Sequence, residues 1–341
     1  MQNNQTNIFG INFAPLTDWR TFLRNAMATS APLTIFAVVM FVAFAATMIG
    51  TFADPKIITG SAAWLKPAKF SISLGIYSLT LLWLLSYVEN HRRLVKIVAT
   101  VTTISAVIEI AVIIGQAFRN TTSHFNYSTP FDTTLWIIMG VSIVVLWVMT
   151  LLTAILLIRQ KMTDKVFALG LRLGLVVSLL GMALGYLMIF HRTAQQTRLA
   201  EAGQPVLTKG AHSFGVEDGE SAGLPFVGWN TTGGDLRPAH FLGLHAMQIL
   251  PFLGWFLSGW RKSKLTEKQR LALVWTFGAT FLGVLMVLTW QALREQSIIS
   301  PDFQTVAAFA VLITAATLTS IRIARMRPQV AIQSKSHYSF R

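Results

Sequence analysis

A polar stretch at the start of one long apolar run holds the residue types most able to do chemistry. Asp235–Pro251 reads DLRPAHFLGLHAMQILP. Within about four helical turns it brings together an acid, a base, two imidazoles and an amide, namely Asp235, Arg237, His240, His245 and Gln248. Polar groups at the mouth of a membrane helix are costly to keep, so this set is a candidate functional site.

A second polar set begins another apolar run, which opens WLKPAK. Lys66, Lys69, Ser73 and Tyr77 recur at spacings that put them on one face of a helix. Two lysines within the first turns could hold an anionic ligand. They could equally be interfacial anchors that fix the depth of the helix.

The third apolar run contains an acid well inside it. Glu109, Gln116 and Arg119 lie along one face of the predicted helix. An isolated charge near the bilayer centre costs several kcal/mol, so Glu109 should be neutral, paired or in contact with water. We expect Lys69 to be its partner and Lys66 to be the second choice, and the alternative is a purely structural pair that orients two helices.

A short polar turn, Ser123–Asn126 (SHFN), follows that run and adds His124 and Asn126 to the candidates. A zinc ion or another divalent metal could use a set of imidazoles and a carboxylate. That set would be His124, His240, His245 and Glu109. The H-x4-H spacing weakens this hypothesis, because it does not place His240 and His245 on one face.

Haem b is the other cofactor considered, since it takes axial histidines from facing helices. The available pairs are His240 or His245 with His191 or His124, and most apolar runs contain no histidine. Neither haem nor a metal is therefore favoured. The chain has no cysteine, which excludes disulfides, iron–sulfur clusters and thiol nucleophiles, and it has no G-x-S-x-G, P-loop or dinucleotide motif.

Five bases near one end of the apolar runs suit a carboxylate, a phosphate or a lipid headgroup. They are Lys66, Lys69, Arg119, Arg237 and Arg294. The leading hypothesis is therefore a protein that binds, transports or senses a small anionic or amphipathic ligand. A membrane enzyme or redox protein with a His/Glu metal or haem site is the first alternative, and a structural or assembly protein is the second.

Composition indicates the scaffold that must position these groups. Of 341 residues, 53% are hydrophobic and only 12% are charged, against about 25% charged in soluble domains. Eight apolar runs are long enough to cross a bilayer. We predict an all-α polytopic bundle forming a single integral membrane domain, residues 1–341. An interfacial amphipathic helix spans 13–30, and the predicted spans are 32–53, 63–88, 94–118, 133–158, 166–190, 239–260, 271–293 and 304–323.

Charge distribution predicts the orientation of this bundle. With the N-terminus inside, the inner segments hold 18 of the 28 lysines and arginines but only four acids. The positive-inside rule therefore places both termini in the cytoplasm, with the long loop 191–236 outside and a basic tail, 325–341, inside. The basic loops then need no nucleic acid as a partner, because they can rest on anionic lipid. We expect a bacterial inner (plasma) membrane location, and the oligomeric state is not predicted.

With this orientation the costly polar residues gather in the outer halves of spans two, three, five, six and seven. The sequence therefore predicts a water-accessible cleft that opens outward. His212, in the Gly-rich outer loop, is expected to be solvated, and His240 could merely donate to a loop carbonyl.

Overall fold

The computed structural model describes residues 19–220, 223–259 and 265–326. Residues 13–18 of the predicted interfacial helix, residues 261–264 of the basic loop and residues 327–341 of the predicted basic tail lie outside these ranges. Helices dominate the described chain. In order they are α1 Trp19–Thr29, α2 Ala31–Ala53, α3 Leu65–Leu85, α4 Arg92–Phe118, α5 Pro130–Arg159, α6 Lys165–Phe190, α7 Ala194–Glu201, α8 Arg237–Gly259, α9 Glu267–Leu293 and α10 Phe303–Arg325.

Eight of these helices, all except α1 and α7, are long and apolar enough to cross a membrane. The predicted all-α membrane bundle is thus confirmed. Its long helices run up and down, so the loops 54–64, 119–129, 191–236 and 294–302 meet at one end. We call this end the loop end.

Side-chain caps set the starts of several helices, including α5 and α6. Thr129 accepts a hydrogen bond from the backbone N–H of Asp132 at 3.1 Å, and Pro130 occupies the first turn of α5, where its missing N–H is not needed. Asp164 caps α6 in the same way, by accepting from Phe167 N at 2.9 Å. The Thr129 cap and Pro130 explain why α5 begins three residues before the predicted span.

Helices α6 and α8 pack against each other through glycine. A Cβ added to Gly181 would lie 2.4 Å from Cα of Gly243, and one added to Gly170 would lie 2.5 Å from the carbonyl oxygen of Leu250. Small residues let helix backbones approach closely inside a membrane. The α6–α8 pair is therefore a tightly packed, rigid wall of the bundle.

The long loop covers the loop end and has structure of its own. It contains α7 and two short strands, β3 Ser213–Phe214 and β4 Gly234–Asp235, which pair antiparallel. A further bridge joins Asn126 to Thr208, so the loop is tied to the α4–α5 connection. A second strand pair, β1 Ile57–Ile58 with β2 Ser61–Ala62, lies between α2 and α3.

The glycine contact predicts opposite effects for two identical substitutions. Gly181→Ala should lower the thermal unfolding midpoint, because its methyl group meets the α8 backbone and overpacking costs about 1–3 kcal/mol. Gly115→Ala is the matched control, since a Cβ there has nothing within 4 Å and alanine favours helix by about 1 kcal/mol. Equal midpoints for the two variants would show that α6 and α8 are not in close contact.

Candidate functional site

A cavity of about 680 Å³ penetrates the bundle from the loop end. Its lining includes Thr208 and Glu217 of the long loop, and it reaches Tyr77 and Gln248 near the middle of α3 and α8. Most of the predicted site residues line it, namely Lys66, Lys69, Tyr77, Glu109, His124, Arg237, His240, His245 and Gln248. The cavity is thus lined mainly by apolar groups, with polar side chains from its entrance to its deepest part.

Glu109 lies at the wall of this cavity and is 1% exposed. Neither of its carboxyl oxygens has a hydrogen-bond partner among the described residues. The nearest charged or ionisable group is His124, whose Nε2 lies 3.9 Å from Oε1 of Glu109. An unsatisfied buried carboxyl is expensive, so its persistence needs an explanation.

Lys66 is the lysine whose charge acts on Glu109. Its ammonium makes no hydrogen bond or ion pair with any part of the chain that the structure describes, and it remains partly accessible because it faces the cavity. Lys69, the expected partner of Glu109, instead donates to the carbonyl oxygen of Val227 at 2.8 Å. The order of the two lysines is thus reversed, because the long loop folds back and supplies Lys69 with an acceptor.

His124 is wedged among aromatic rings beside Glu109. Its ring centroid lies 5.2 Å from that of Trp136 and 5.6 Å from that of Phe70, and its Nδ1 is 3.1 Å from the hydroxyl of Ser123. Burial, with the nearby positive charge of Lys66, holds the pKa of His124 well below 6.5. The imidazole is therefore neutral at pH 7, and its contact with Glu109 is not an ion pair although the distance would allow one.

Three predicted site residues do not line the cavity but hold the α4–α5 connection. Gln116 donates to Asp132 at 2.8 Å, and Arg119 contacts the same carboxylate at 2.5 Å. Asn126 donates to the carbonyl oxygen of Thr122 at 2.9 Å. Their role is to fix the SHFN turn that carries His124.

The DLR segment forms an ion pair that joins β4 to α8. The Arg237 guanidinium contacts both oxygens of Asp235, with Nε 2.9 Å from Oδ1 and 3.0 Å from Oδ2. Asp235 also accepts from the backbone of Asn230 at 2.7 Å and does not line the cavity. Arg237 lines the cavity with its charge already paired, so it is a weaker anion ligand than Lys66.

The remaining groups of α8 lie at different depths. His240 Nδ1 is 2.8 Å from the carbonyl oxygen of Gly181, a helix carbonyl rather than the loop carbonyl considered above. Gln248 donates to Thr80 at 3.0 Å, and His245 lines the cavity between these two levels.

Within the described ranges no group of three or more His, Asp or Glu side chains could hold a metal ion, so His124, His240, His245 and Glu109 do not form a metal centre together.

Sequence reasoning missed a histidine–aspartate pair in the long loop. His212 Nδ1 lies 2.7 Å from Oδ2 of Asp218, and both residues line the cavity. The expectation of a solvated His212 was wrong, since its side chain is 22% exposed. Gly215, with φ of 77°, reverses the chain between the two residues, and this turn was the only local signal.

The pair combines a neutral imidazole with an ionised carboxylate. Burial lowers the pKa of His212 by more than the neighbouring Asp218 raises it. Burial also raises the pKa of Asp218, but hydrogen bonds from the His212 ring and from the backbone N–H groups of His212 and Ser213 hold the pKa below its usual range.

Comparisons of the chain with protein-family models, curated proteins and solved structures find no match.

The buried imidazole predicts a pH-dependent stability. Because folding lowers the pKa of His124, the unfolded chain binds a proton first as pH falls below 6.5, and stability is lost in that range. The loss is at most about 1.4 kcal/mol per pH unit for this group. His124→Phe should therefore reduce the fall in unfolding midpoint between pH 7.5 and pH 5.5.

His91→Gln is the control for this measurement, because His91 is exposed at the opposite end of the bundle. It should keep the pH dependence of the wild type. An unchanged pH dependence in His124→Phe would contradict a buried, neutral His124.

Proposed function

We propose that this multi-pass membrane protein binds a small amphipathic ligand with an anionic headgroup in the cavity at the loop end. The observation that carries the proposal is the Lys66 ammonium, which faces the cavity without a direct partner among the described residues. A ligand carboxylate or phosphate would supply the missing acceptor. Binding of this kind could serve transport or sensing of the ligand.

The charges around the entrance support an anionic headgroup. Lys66 and Lys69 lie one turn apart on α3, and Lys69 uses one N–H on the loop carbonyl, which leaves two N–H groups to donate. Asp218, an ionised acid of the long loop, already accepts hydrogen bonds from His212 and from two backbone N–H groups. The free N–H groups of the two lysines are therefore available to an anionic headgroup.

The deeper part of the cavity supports an apolar tail. Its walls there include Leu74, Ile143, Leu146, Met182 and Met247, from four different helices. Contact between water and this apolar surface is unfavourable, so an apolar group that covers it would be stabilised there. A ligand with a charged head and a short hydrocarbon tail matches both parts.

Topology is part of the same proposal. We infer that the loop end faces the outside of a plasma membrane and that both termini are cytoplasmic, in one integral membrane domain. The support is the charge asymmetry of the sequence, in which basic residues concentrate in the segments opposite the loop end. The ligand would then enter from the outer side.

Removing the Lys66 charge should weaken binding of a fatty acid. In phosphatidylcholine nanodiscs, laurate should raise the unfolding midpoint of the wild type. Lys66→Met should reduce the affinity about 10-fold to 100-fold, since a hydrogen bond to a charged group contributes about 1.5–3 kcal/mol. Lys209→Met is the control, because Lys209 is an exposed loop lysine outside the cavity lining. Equal laurate responses in the two variants would contradict the proposal.

Filling the cavity should abolish the same response. Gly140 lines the cavity, and a Cβ added there has nothing within 4 Å, so Gly140→Leu should extend a side chain from the wall of the proposed tail site. Gly115→Leu is the matched control, since Gly115 has equal room but does not line the cavity. A laurate-induced shift of wild-type size in Gly140→Leu would argue that the tail lies elsewhere.

A further inference from the structure

The His212–Asp218 pair at the cavity entrance has the geometry of a catalytic base and the group that orients it. Asp218 Oδ2 is 2.7 Å from Nδ1 of His212 and 3.0 Å from its backbone nitrogen. Asp218 Oδ1 accepts from the backbone N–H of Ser213 at 2.9 Å. Two backbone contacts therefore fix the carboxylate, and the carboxylate fixes the imidazole.

This arrangement determines which ring nitrogen carries the proton. An ionised carboxylate only accepts hydrogen bonds, so Nδ1 of His212 is the donor and Nε2 holds the lone pair. Nε2 has no hydrogen bond to any residue in the described ranges, and His212 lines the cavity. The lone pair is thus available to a molecule inside.

A cation lies within electrostatic reach of this base. Lys66 lines the same cavity as His212, Asp218, His124 and Glu109, and its charge acts on all four groups. The Phe125 ring, 5.0 Å from that of His212, forms an apolar floor beside the pair. An unpartnered cation beside a base is suited to the oxyanion that forms when an acyl carbonyl is attacked.

We propose that the cavity is also a hydrolytic site for an amphipathic carboxylic ester, with His212 as the general base. This rests on the proposed function, because the ester tail would occupy the tail site and the acyl carbonyl would lie near Lys66. Asp218 is a positioning residue that holds the tautomer. Water enters from the loop end, where the pair lies.

The reaction balances without any further co-reactant. The oxygen of water bonds to the acyl carbon, its proton moves to Nε2 of His212, and the carbonyl electrons move onto oxygen beside the Lys66 ammonium. The intermediate then collapses, the carbon–oxygen bond to the alcohol breaks, and His212 returns the proton to the leaving oxygen. The products are a fatty acid and an alcohol.

The test is hydrolysis of 4-nitrophenyl laurate by the full chain in nanodiscs, followed by release of nitrophenolate. His212→Gln should lower kcat/KM by about 100-fold or more, since general bases contribute about 10²–10⁴-fold. His91→Gln should match the wild type, because it removes an exposed histidine from the opposite end. The wild-type rate should also fall about twofold to threefold in D₂O, as proton transfer in the transition state requires.

Substitution of Asp218 tests whether this carboxylate orients His212 or only stabilises the loop. Asp218→Asn should lower kcat and move the acid inflection of the pH–rate profile to lower pH, because the imidazolium loses its counter-charge. Asp218→Glu should restore part of the rate. Loss of rate in Asp218→Asn with an unmoved inflection would assign Asp218 to loop structure alone.

Laurate binding, measured by thermal shift on the same samples, separates the two proposals. If the wild type binds laurate but does not hydrolyse the ester, the hydrolytic site is wrong and the binding site stands. The same conclusion follows if His212→Gln hydrolyses the ester at the wild-type rate. Absence of both overturns the two together. Laurate binding that persists in an inactive His212→Gln is the expected result, and it shows that the variant is folded.

Discussion

The cost of burying charge inside a membrane bundle governs this structure. Lys66 is a base and Glu109 an acid, yet they make no direct ion pair with each other, and Glu109 has no hydrogen bond among the described residues. A buried pair kept only for stability would be in contact, because separated charges lose most of the attraction that offsets desolvation. Both side chains line the cavity instead, which is consistent with the proposed ligand site.

The helices around the cavity form a tightly packed wall on one side and leave open space on the other. Gly181 and Gly243 bring α6 and α8 into backbone contact, so this wall cannot move without breaking the bundle. Helix α5 is held to α6 at mid-depth by the Trp147 indole, which donates to the carbonyl oxygen of Leu179 at 3.1 Å. Gly140 of α5, nearer the loop end, has open space beside it. Rigidity on one side and room on the other are what a binding cavity needs.

The helices and their order followed from the sequence because hydrophobic length is a local property. The same spacing rules placed Lys66, Glu109 and His245 in helices that do line one cavity. The wrong predictions concern contacts with the loops. The sequence predicts Lys69 as the partner of Glu109, because no local pattern shows that the long loop brings the Val227 carbonyl oxygen to Lys69.

Loop structure also explains the residues that were misjudged. Gln116, Arg119 and Asn126 had the right chemistry for a site, but a neighbouring acid, Asp132, and the turn itself use their hydrogen bonds. The glycine-rich segment around His212 predicts a solvated side chain. That glycine content is what allows the chain to reverse and bring Asp218 to it.

The most direct test of the central claim is to locate a bound fatty acid on the protein. A laurate analogue with a photoactivatable diazirine at the end of its chain is cross-linked in nanodiscs, and the adducts are mapped by mass spectrometry. The account predicts adducts on the cavity walls around Ile143 and Met182, which excess laurate removes. Adducts confined to the exposed face of α10, for example at Val311 and Leu318, and insensitive to laurate, would contradict it.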